Sequence, residues 1–242
     1  MPQNQAEPAN PPTELILSAR DVHKTYRTGA VDVEALRGVD LDLYAGELIT
    51  VMGPSGNGKT TLLNCLSGLD DIDSGTIVVD GNVLATMTDA QRTAHRAERM
   101  GFVFQSFNLI GVLSAEENVE LPLLLSGAAP KQARAAAREM LNRVGLSNRS
   151  DHRPAELSGG EQQRVAIARA LVGEPGIVWA DEPTGSLDSE TAGAIVDLLQ
   201  EVHSHGLALV IVTHDPTIGA LGHRLVHVRN GRVESNVLTD QA

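Results

Sequence analysis

Leu48-Ile49-Thr50-Val51-Met52-Gly53-Pro54-Ser55-Gly56-Asn57-Gly58-Lys59-Thr60-Thr61-Leu62-Leu63-Asn64-Cys65-Leu66 is the stretch on which the fold turns. Its first five residues form a short apolar, partly β-branched run, the pattern of a buried strand. Residues 53–60 match G-x-x-x-x-G-K-[ST], a loop whose glycines let backbone N–H groups curl around phosphate oxygens. The residues from Thr61 onward carry a leucine face and read as a helix. Strand, glycine loop and helix in that order are the context the motif needs. A chance Lys-Thr after a glycine turn would lack both flanks. In such a loop Lys59 reaches the β- and γ-phosphates as a point charge, and the Thr60 hydroxyl is a ligand for Mg²⁺.

Downstream, Leu157-Ser158-Gly159-Gly160-Glu161-Gln162-Gln163-Arg164 places two adjacent glycines before an apolar helical run. Glycine costs about 1 kcal/mol in a helix interior, so the pair belongs at a helix start. Ser158 and Glu161 have the S-x-x-E spacing of a capping box. Alone, this would be no more than a capped core helix. Beside a phosphate loop, it is a second anion-binding tip. Gly176-Ile177-Val178-Trp179-Ala180-Asp181-Glu182-Pro183 reads as an apolar strand ending in two acids, at the sheet edge where ligands bind in open α/β folds. Asp181 there would hold Mg²⁺, directly or through water. Glu182 would orient or deprotonate the water that attacks a γ-phosphate.

The glycine loop, Ser-Gly-Gly-Glu-Gln and Asp-Glu, in that order, resemble the nucleotide-binding subunit of an ATP-binding-cassette (ABC) transporter. The resemblance spans about residues 15–234. It implies an α/β fold: a P-loop NTPase (RecA-like) core, an antiparallel β subdomain and an α-helical subdomain. The cassette would occupy 14–236, with core and β parts at about 14–87 and 172–236 and the helical part at about 88–171. Residues 1–13 and 237–242 would be tails.

The resemblance also assigns roles. Tyr26 matches the aromatic that stacks on adenine. Gln105, after Phe102-Val103-Phe104, matches the glutamine that touches Mg²⁺ and senses the transmembrane partner. Asp188, in Ser186-Leu187-Asp188, matches the loop that meets its counterpart across a dimer. His214 matches the histidine that bonds the γ-phosphate. Glu182, His214 and Lys59 would be catalytic. ATP would contact Tyr26, Gly53, Pro54, Ser55, Gly56, Asn57, Gly58, Lys59, Thr60, Thr61 and Gln105, and across the dimer Ser158, Gly159, Gly160, Gln162 and Asp188. Thr60, Gln105 and Asp181 would hold Mg²⁺. Each residue alone would be a packing or strand-end group; their order and context give them meaning.

Asp181-Glu182-Pro183-Thr184-Gly185-Ser186-Leu187-Asp188, Phe107-Asn108-Leu109 and Glu117-Asn118-Val119-Glu120-Leu121-Pro122-Leu123 are similar to the ATPases of macrolide exporters, lipoprotein-release complexes and the cell-division ABC complex. Those ATPases pair with permeases that carry a large extracytoplasmic domain. An exporter or lipoprotein-release role is the implied function, and a non-transporting cell-division role the alternative. The P-loop and the Ser158 tip would not serve one ATP within one chain, so a head-to-tail homodimer is expected, with a permease docked near residues 105–125. Phe107 and Leu109 are the candidates for the groove receiving a permease helix, while neighbouring leucines are candidates for the lobe's own core. One departure from the family is Leu221-Gly222-His223-Arg224, where Ala-Asp-Arg is usual; it puts a local contact in question.

Composition narrows the classes. A formal charge of −12 argues against nucleic-acid binding and against direct contact with an anionic bilayer. Aromatics at 2 % provide no base-stacking platform for single strands. No apolar run approaches the roughly 20 residues of a membrane span, and the N-terminus has no signal-like segment. The expected location is therefore cytoplasmic, peripheral at the membrane through the permease. A single cysteine, Cys65, leaves no disulfide framework and reads as a small core residue. A DNA- or ribosome-acting ABC protein would carry coiled-coil or zinc insertions or a second cassette. A GTPase would carry Asn-Lys-x-Asp and have no use for the Ser158 tip.

The antiparallel β portion is expected around residues 31–43 and 76–83, with an Asp80-Gly81 turn. The pattern from 88 to about 151 is helical, and a helix from Pro130 stops at Gly145. Strand and helix alternate from 176 onward, as in a parallel sheet.

Overall fold

Two sheets share one core. The computed structural model describes residues 14–29 and 31–239. The expected N-terminal tail, 1–13, and residues 240–242 lie outside the described residues. In the first sheet β1 (Leu15–Thr28) pairs antiparallel with β2 (Val31–Tyr44) and β4 (Ser74–Val79), and β4 pairs with the short β5 (Asn82–Val83). Asp80 and Gly81 make the β4–β5 turn with φ of 47° and 76°, the left-handed pair a tight hairpin requires.

The second sheet has the order β10-β9-β3-β8-β7-β6. Its members are β3 (Leu48–Met52), β6 (Met100–Phe104), β7 (Ile177–Asp181), β8 (Ala208–Val212), β9 (Arg224–Arg229) and β10 (Arg232–Leu238). All are parallel except the β9–β10 hairpin. The inner strands are apolar on both faces because both faces are covered. Ile177 and Trp179 of β7 and Ala208, Val210 and Val212 of β8 join the core beneath the antiparallel sheet and α1 (Lys59–Leu66). Val178, Ala180, Leu209 and Ile211 point the other way, into a second core. That core is closed by the helices of the other lobe and by α6 (Ser189–His203). Each buried Val, Leu or Ile among them contributes about 1.5–3 kcal/mol. Cys65 lies in the first core, and burial pushes its thiol up to about 12.

The second lobe contains α3 (Ala115–Leu125) and α4 (Pro130–Arg143), and α5 (Gly159–Leu171) joins it to the sheet. α2 (Asp89–Arg99) instead packs on β6, and its Arg92, Arg96 and Arg99 reach Asp71, the Gly68 carbonyl and Asp80. Thr88, Ser114 and Ser158 each cap their helix through a full capping box. Glu120 on α3, nearly buried, accepts from Arg134 of α4 at 3.1 Å.

Two expectations change. Residues 88–151 are not wholly helical: Met100-Gly101-Phe102-Val103-Phe104 is β6, paired with β7 in the core sheet. A five-residue apolar run has no period of its own, so strand and helix look alike until a neighbour is known. The C-terminal tail does not begin at 237, because β10 carries the hairpin through Val237 and Leu238. The departure at residues 221–224 makes its own contact. The His223 N–H donates to Leu48 O at 2.8 Å, and its ring Nδ1 accepts from Leu48 N–H at 3.1 Å. Arg224 then pairs with the buried Glu47 at 2.9 Å.

Candidate nucleotide-binding site

The loop leaves β3 at its C-terminal end and enters α1. Two glycines there have no substitute. Gly53 lies at φ 151°, and a Cβ would stand 2.0 Å from Val228 O. Gly58 lies at φ 96°, and a Cβ would stand 2.4 Å from Ala35 O. Asn57 braces the loop, donating through Nδ2 to Pro54 O and Ser55 O and accepting from Asn230 N–H at 2.8 Å. Gly58 caps α1 with no side-chain bond, so the first N–H groups of this helix point outward as anion donors. Lys59 is nearly buried, and its Nζ folds back on Gly53 O at 2.8 Å and Pro54 O at 3.2 Å.

The cleft over this loop has a volume of about 490 Å³. Ser55, Gly56, Asn57, Gly58, Lys59, Thr60 and Thr61 line it together with Tyr26, Gln105 and Glu182. It also takes Val33, Glu34, Ala35, Arg37, Asn230 and Gly231, which sequence reasoning missed. They come from β2 and the β9–β10 turn, and no local motif marks them.

At the inner end, Thr60 Oγ1 donates to Asp181 Oδ1 at 3.2 Å. Burial pushes the Asp181 carboxyl above the usual range, the Thr60 bond opposes this, and the Glu182 charge adds to it. A hydroxyl and a desolvated carboxylate side by side are the hard oxygen donors that suit Mg²⁺. Glu182 sits at φ 48°, a left-handed conformation costly for a non-glycine residue and typical of functional positions. Its N–H bonds Val212 O at 2.9 Å, and its carboxylate meets His214 Nδ1 at 2.9 and 3.0 Å. A carboxylate paired with an exposed imidazole can hold a proton-transfer partner in place.

The Ser158 tip stands apart. Among the described residues lining the cleft, none comes from residues 157–164. Ser158 Oγ accepts from Glu161 N–H at 3.3 Å, and Glu161 returns the bond to Ser158 N–H at 2.8 Å. The next loop is packed against the tip: a Cβ on Gly160 would meet Thr191 Cγ2 at 2.3 Å, and one on Gly159 would meet Leu187 at 3.4 Å. Asp188 caps α6, accepting from Thr191 N–H at 3.0 Å. Ser158, Gly159, Gly160 and Asp188 are thus neighbours, as the dimer reading needs. Gln162 Nε2 turns inward to Leu157 O at 3.1 Å. Gln163, unremarked in the sequence, is fully buried and donates to Pro183 O, tying the tip helix to the turn after Glu182.

Gln105 follows β6 directly, and the Ser186 hydroxyl donates to its carbonyl at 3.1 Å. Beyond it Phe107 and Asn108 are both left-handed, at φ 60° and 50°. Arg169 of α5 donates to both carbonyls, at 2.9 and 2.6 Å. Neither Phe107 nor Leu109, the candidates for a permease groove, lines the nearest apolar groove. Phe107 lies by Gly159, and Leu109 packs on the helical core. An apolar groove of about 350 Å³ opens instead between β6 and α3, lined by Phe102, Phe104, Asn108, Leu121, Pro122 and Leu125 among others.

A phosphate loop on a parallel sheet, with a capped glycine tip on a separate helical lobe, defines a P-loop nucleoside triphosphatase of the two-lobed cassette form. Residues 36–185 match the ABC transporter family. An uncharacterized ABC transporter ATP-binding protein of Thermotoga maritima is 45 % identical over 219 residues, covering 90 % of this chain and 94 % of its own. The macrolide export ATP-binding/permease protein MacB of Escherichia coli (strain K12) is 43 % identical over 222 residues. That match takes in 91 % of this chain but 34 % of MacB, so the chain corresponds to only part of that protein. The ATP-binding cassette MJ0796, solved as a dimer in a post-hydrolysis state with ADP and Pi, superposes with a TM-score of 0.86 at 40 % identity. The superposition covers 92 % of this chain and 98 % of that one. The chain belongs to the ABC transporter family and is an ATP-binding cassette with ATPase activity. No helix among the described residues is long and apolar enough to cross a membrane.

Proposed function

We propose that this cassette pairs head to tail with a second copy, binds two ATP at the shared faces, and drives an exporter- or lipoprotein-release-type permease. The observation that carries the reading is the separation of the two anion sites. The cleft holds Lys59 but not the Ser158 tip, and two copies related by a two-fold axis would bring each tip to the other's cleft. The dimeric form of MJ0796 supports it. Lys59 and the loop N–H groups would bind the phosphates, and Tyr26 the adenine. Thr60, Asp181 and Gln105 would hold Mg²⁺, which neutralises phosphate charge. Glu182 would orient or deprotonate the attacking water, with His214 at the γ-phosphate.

The groove between β6 and α3 would take a cytoplasmic helix of the permease, and the cassette would then sit at the inner face of the membrane. Leu125 is 77 % exposed at its rim. Leu125→Asp should therefore leave the melting temperature in place while lowering the share of the protein that sediments with membranes. The test of the central reading is Glu182→Gln. Hydrolysis should fall by about 10²-fold or more, while ATP still binds and a dimer accumulates in size-exclusion chromatography with Mg-ATP. A variant that hydrolyses at the parent's rate would remove Glu182 from the chemistry. A variant that binds ATP yet stays monomeric at high concentration would count against the shared sites.

A further inference from the structure

Tyr26 lies near the end of β1 at the mouth of the cleft, 38 % exposed. A phenol ring in that setting would ordinarily sample several rotamers, and fixing it on binding costs affinity. Here it is already fixed. The Tyr26 hydroxyl donates to Asp70 Oδ2 at 2.6 Å. The other oxygen of the same carboxylate accepts from Lys24 Nζ at 2.7 Å, and Lys24 also donates to Asp71 O at 2.6 Å. Lys24 stands 5.1 Å from the centre of the Tyr26 ring, a cation–π contact on one face of a ring that lines the cleft.

Asp70 is itself tied to the phosphate loop's helix. The N–H groups of Leu69 and Asp70 donate to Asn64 O at 2.8 and 3.1 Å. Burial raises the Asp70 carboxyl, but the bonds from Lys24 and Tyr26 outweigh it and hold the group below the usual range. It is therefore a carboxylate at neutral pH, with both oxygens in use.

We propose that Asp70 is a positioning residue for the nucleotide base: its carboxylate clamps Tyr26 and Lys24 to the far end of α1, so that the stacking ring and the phosphate loop move as one unit. The proposal rests on reading Tyr26 as the residue that stacks on adenine. It predicts that Asp70 matters for ligands with a base and not for phosphate chains without one.

The experiment compares ATP with inorganic tripolyphosphate, both with Mg²⁺, by titration on the purified chain. Asp70→Ala should weaken ATP binding about tenfold and raise KM by the same factor. Turnover at saturating ATP and tripolyphosphate affinity should stay within about twofold, the scatter such contacts show when they are not engaged. Asp70→Asn, which keeps an acceptor oxygen, should recover most of the loss. Tyr26→Phe should lose as much as Asp70→Ala, and the double variant no more than either. Equal losses for ATP and tripolyphosphate would overturn the proposal, since Asp70 would then act through the phosphate loop. So would full ATP affinity in Asp70→Ala where Tyr26→Ala is impaired. If Tyr26→Ala itself binds ATP normally, the stacking reading falls and takes the proposal with it.

Discussion

α1 and α5 both begin over glycines, and they begin differently. At α1 the cap is Gly58, left-handed and without a side-chain bond. At α5 the cap is Ser158, and a reciprocal box with Glu161 holds the first turn. The same box opens α2 and α3. The loop before α1 forgoes a side-chain cap so that the helix donors stay open, and Lys59 is held by the loop's own carbonyls. The tip of α5 is stable by itself and presents its glycine N–H groups ahead of the first intrahelical bond, from Gln162 N–H to Ser158 O at 2.9 Å. One site is shaped to surround a phosphate chain. The other is shaped to be pressed against one.

Substitutions can break this contrast or sharpen it. Lys59→Ala should have the largest effect, lowering turnover by about 10²–10³-fold and weakening ATP binding in the single chain. Phosphate release and nucleotide titration measure both, and turnover near the parent's would mean the loop does not carry the phosphates. Gly160→Ala attacks the tip. Its methyl would meet Thr191 Cγ2 at 2.3 Å, and crowding of this kind costs about 1–3 kcal/mol. Turnover should fall about tenfold or more while the isolated chain binds ATP as before. A matching loss of ATP affinity at low protein concentration would show that tip and loop share one cleft after all.

Ser158→Ala tests the stability half of the contrast. It removes the acceptor for Glu161 N–H, worth about 1 kcal/mol, and calorimetry should show a melting temperature lower by about 2–4 °C. An unchanged value would mean the box adds nothing to the tip.

The smallest effect concerns the opposite end of β3 from the phosphate loop. Burial lowers the pKa of His203, and the neighbouring His223 adds to this; burial also lowers that of His223. Their rings are 5.0 Å apart. The unfolded chain takes up protons below about pH 6.5, before the folded one does. The stability these groups contribute is thus present above that pH and lost as pH falls toward their lowered values. Melting temperature should drop between pH 7 and 5, and the drop should shrink in His223→Gln. An identical profile in the variant would remove these histidines as its source.

Much of this was legible before any coordinates. The phosphate loop, the Ser158–Glu161 box, the Asp80-Gly81 turn and the strands β3, β7 and β8 are each specified within a few residues. The strand β6 was not legible, because five apolar residues between helices have no period. Nor was the groove. Its lining combines β6 with α3, and the left-handed pair Phe107–Asn108, held by Arg169 61 and 62 residues away, turns aside the side chains that looked best placed.

What the amino-acid order determined alone is the local chemistry: where donors are left open, where a helix is capped, and which strand faces are apolar. These follow from backbone sterics and bonds that span a handful of residues. Tertiary structure alone decided which distant groups meet. Asp70 reaches Tyr26 across 44 residues, Thr60 reaches Asp181 across 121, and Asn57 reaches Asn230 across 173. Such contacts form only once the strand order of the sheets has closed the chain on itself, and no short-range pattern encodes that closure.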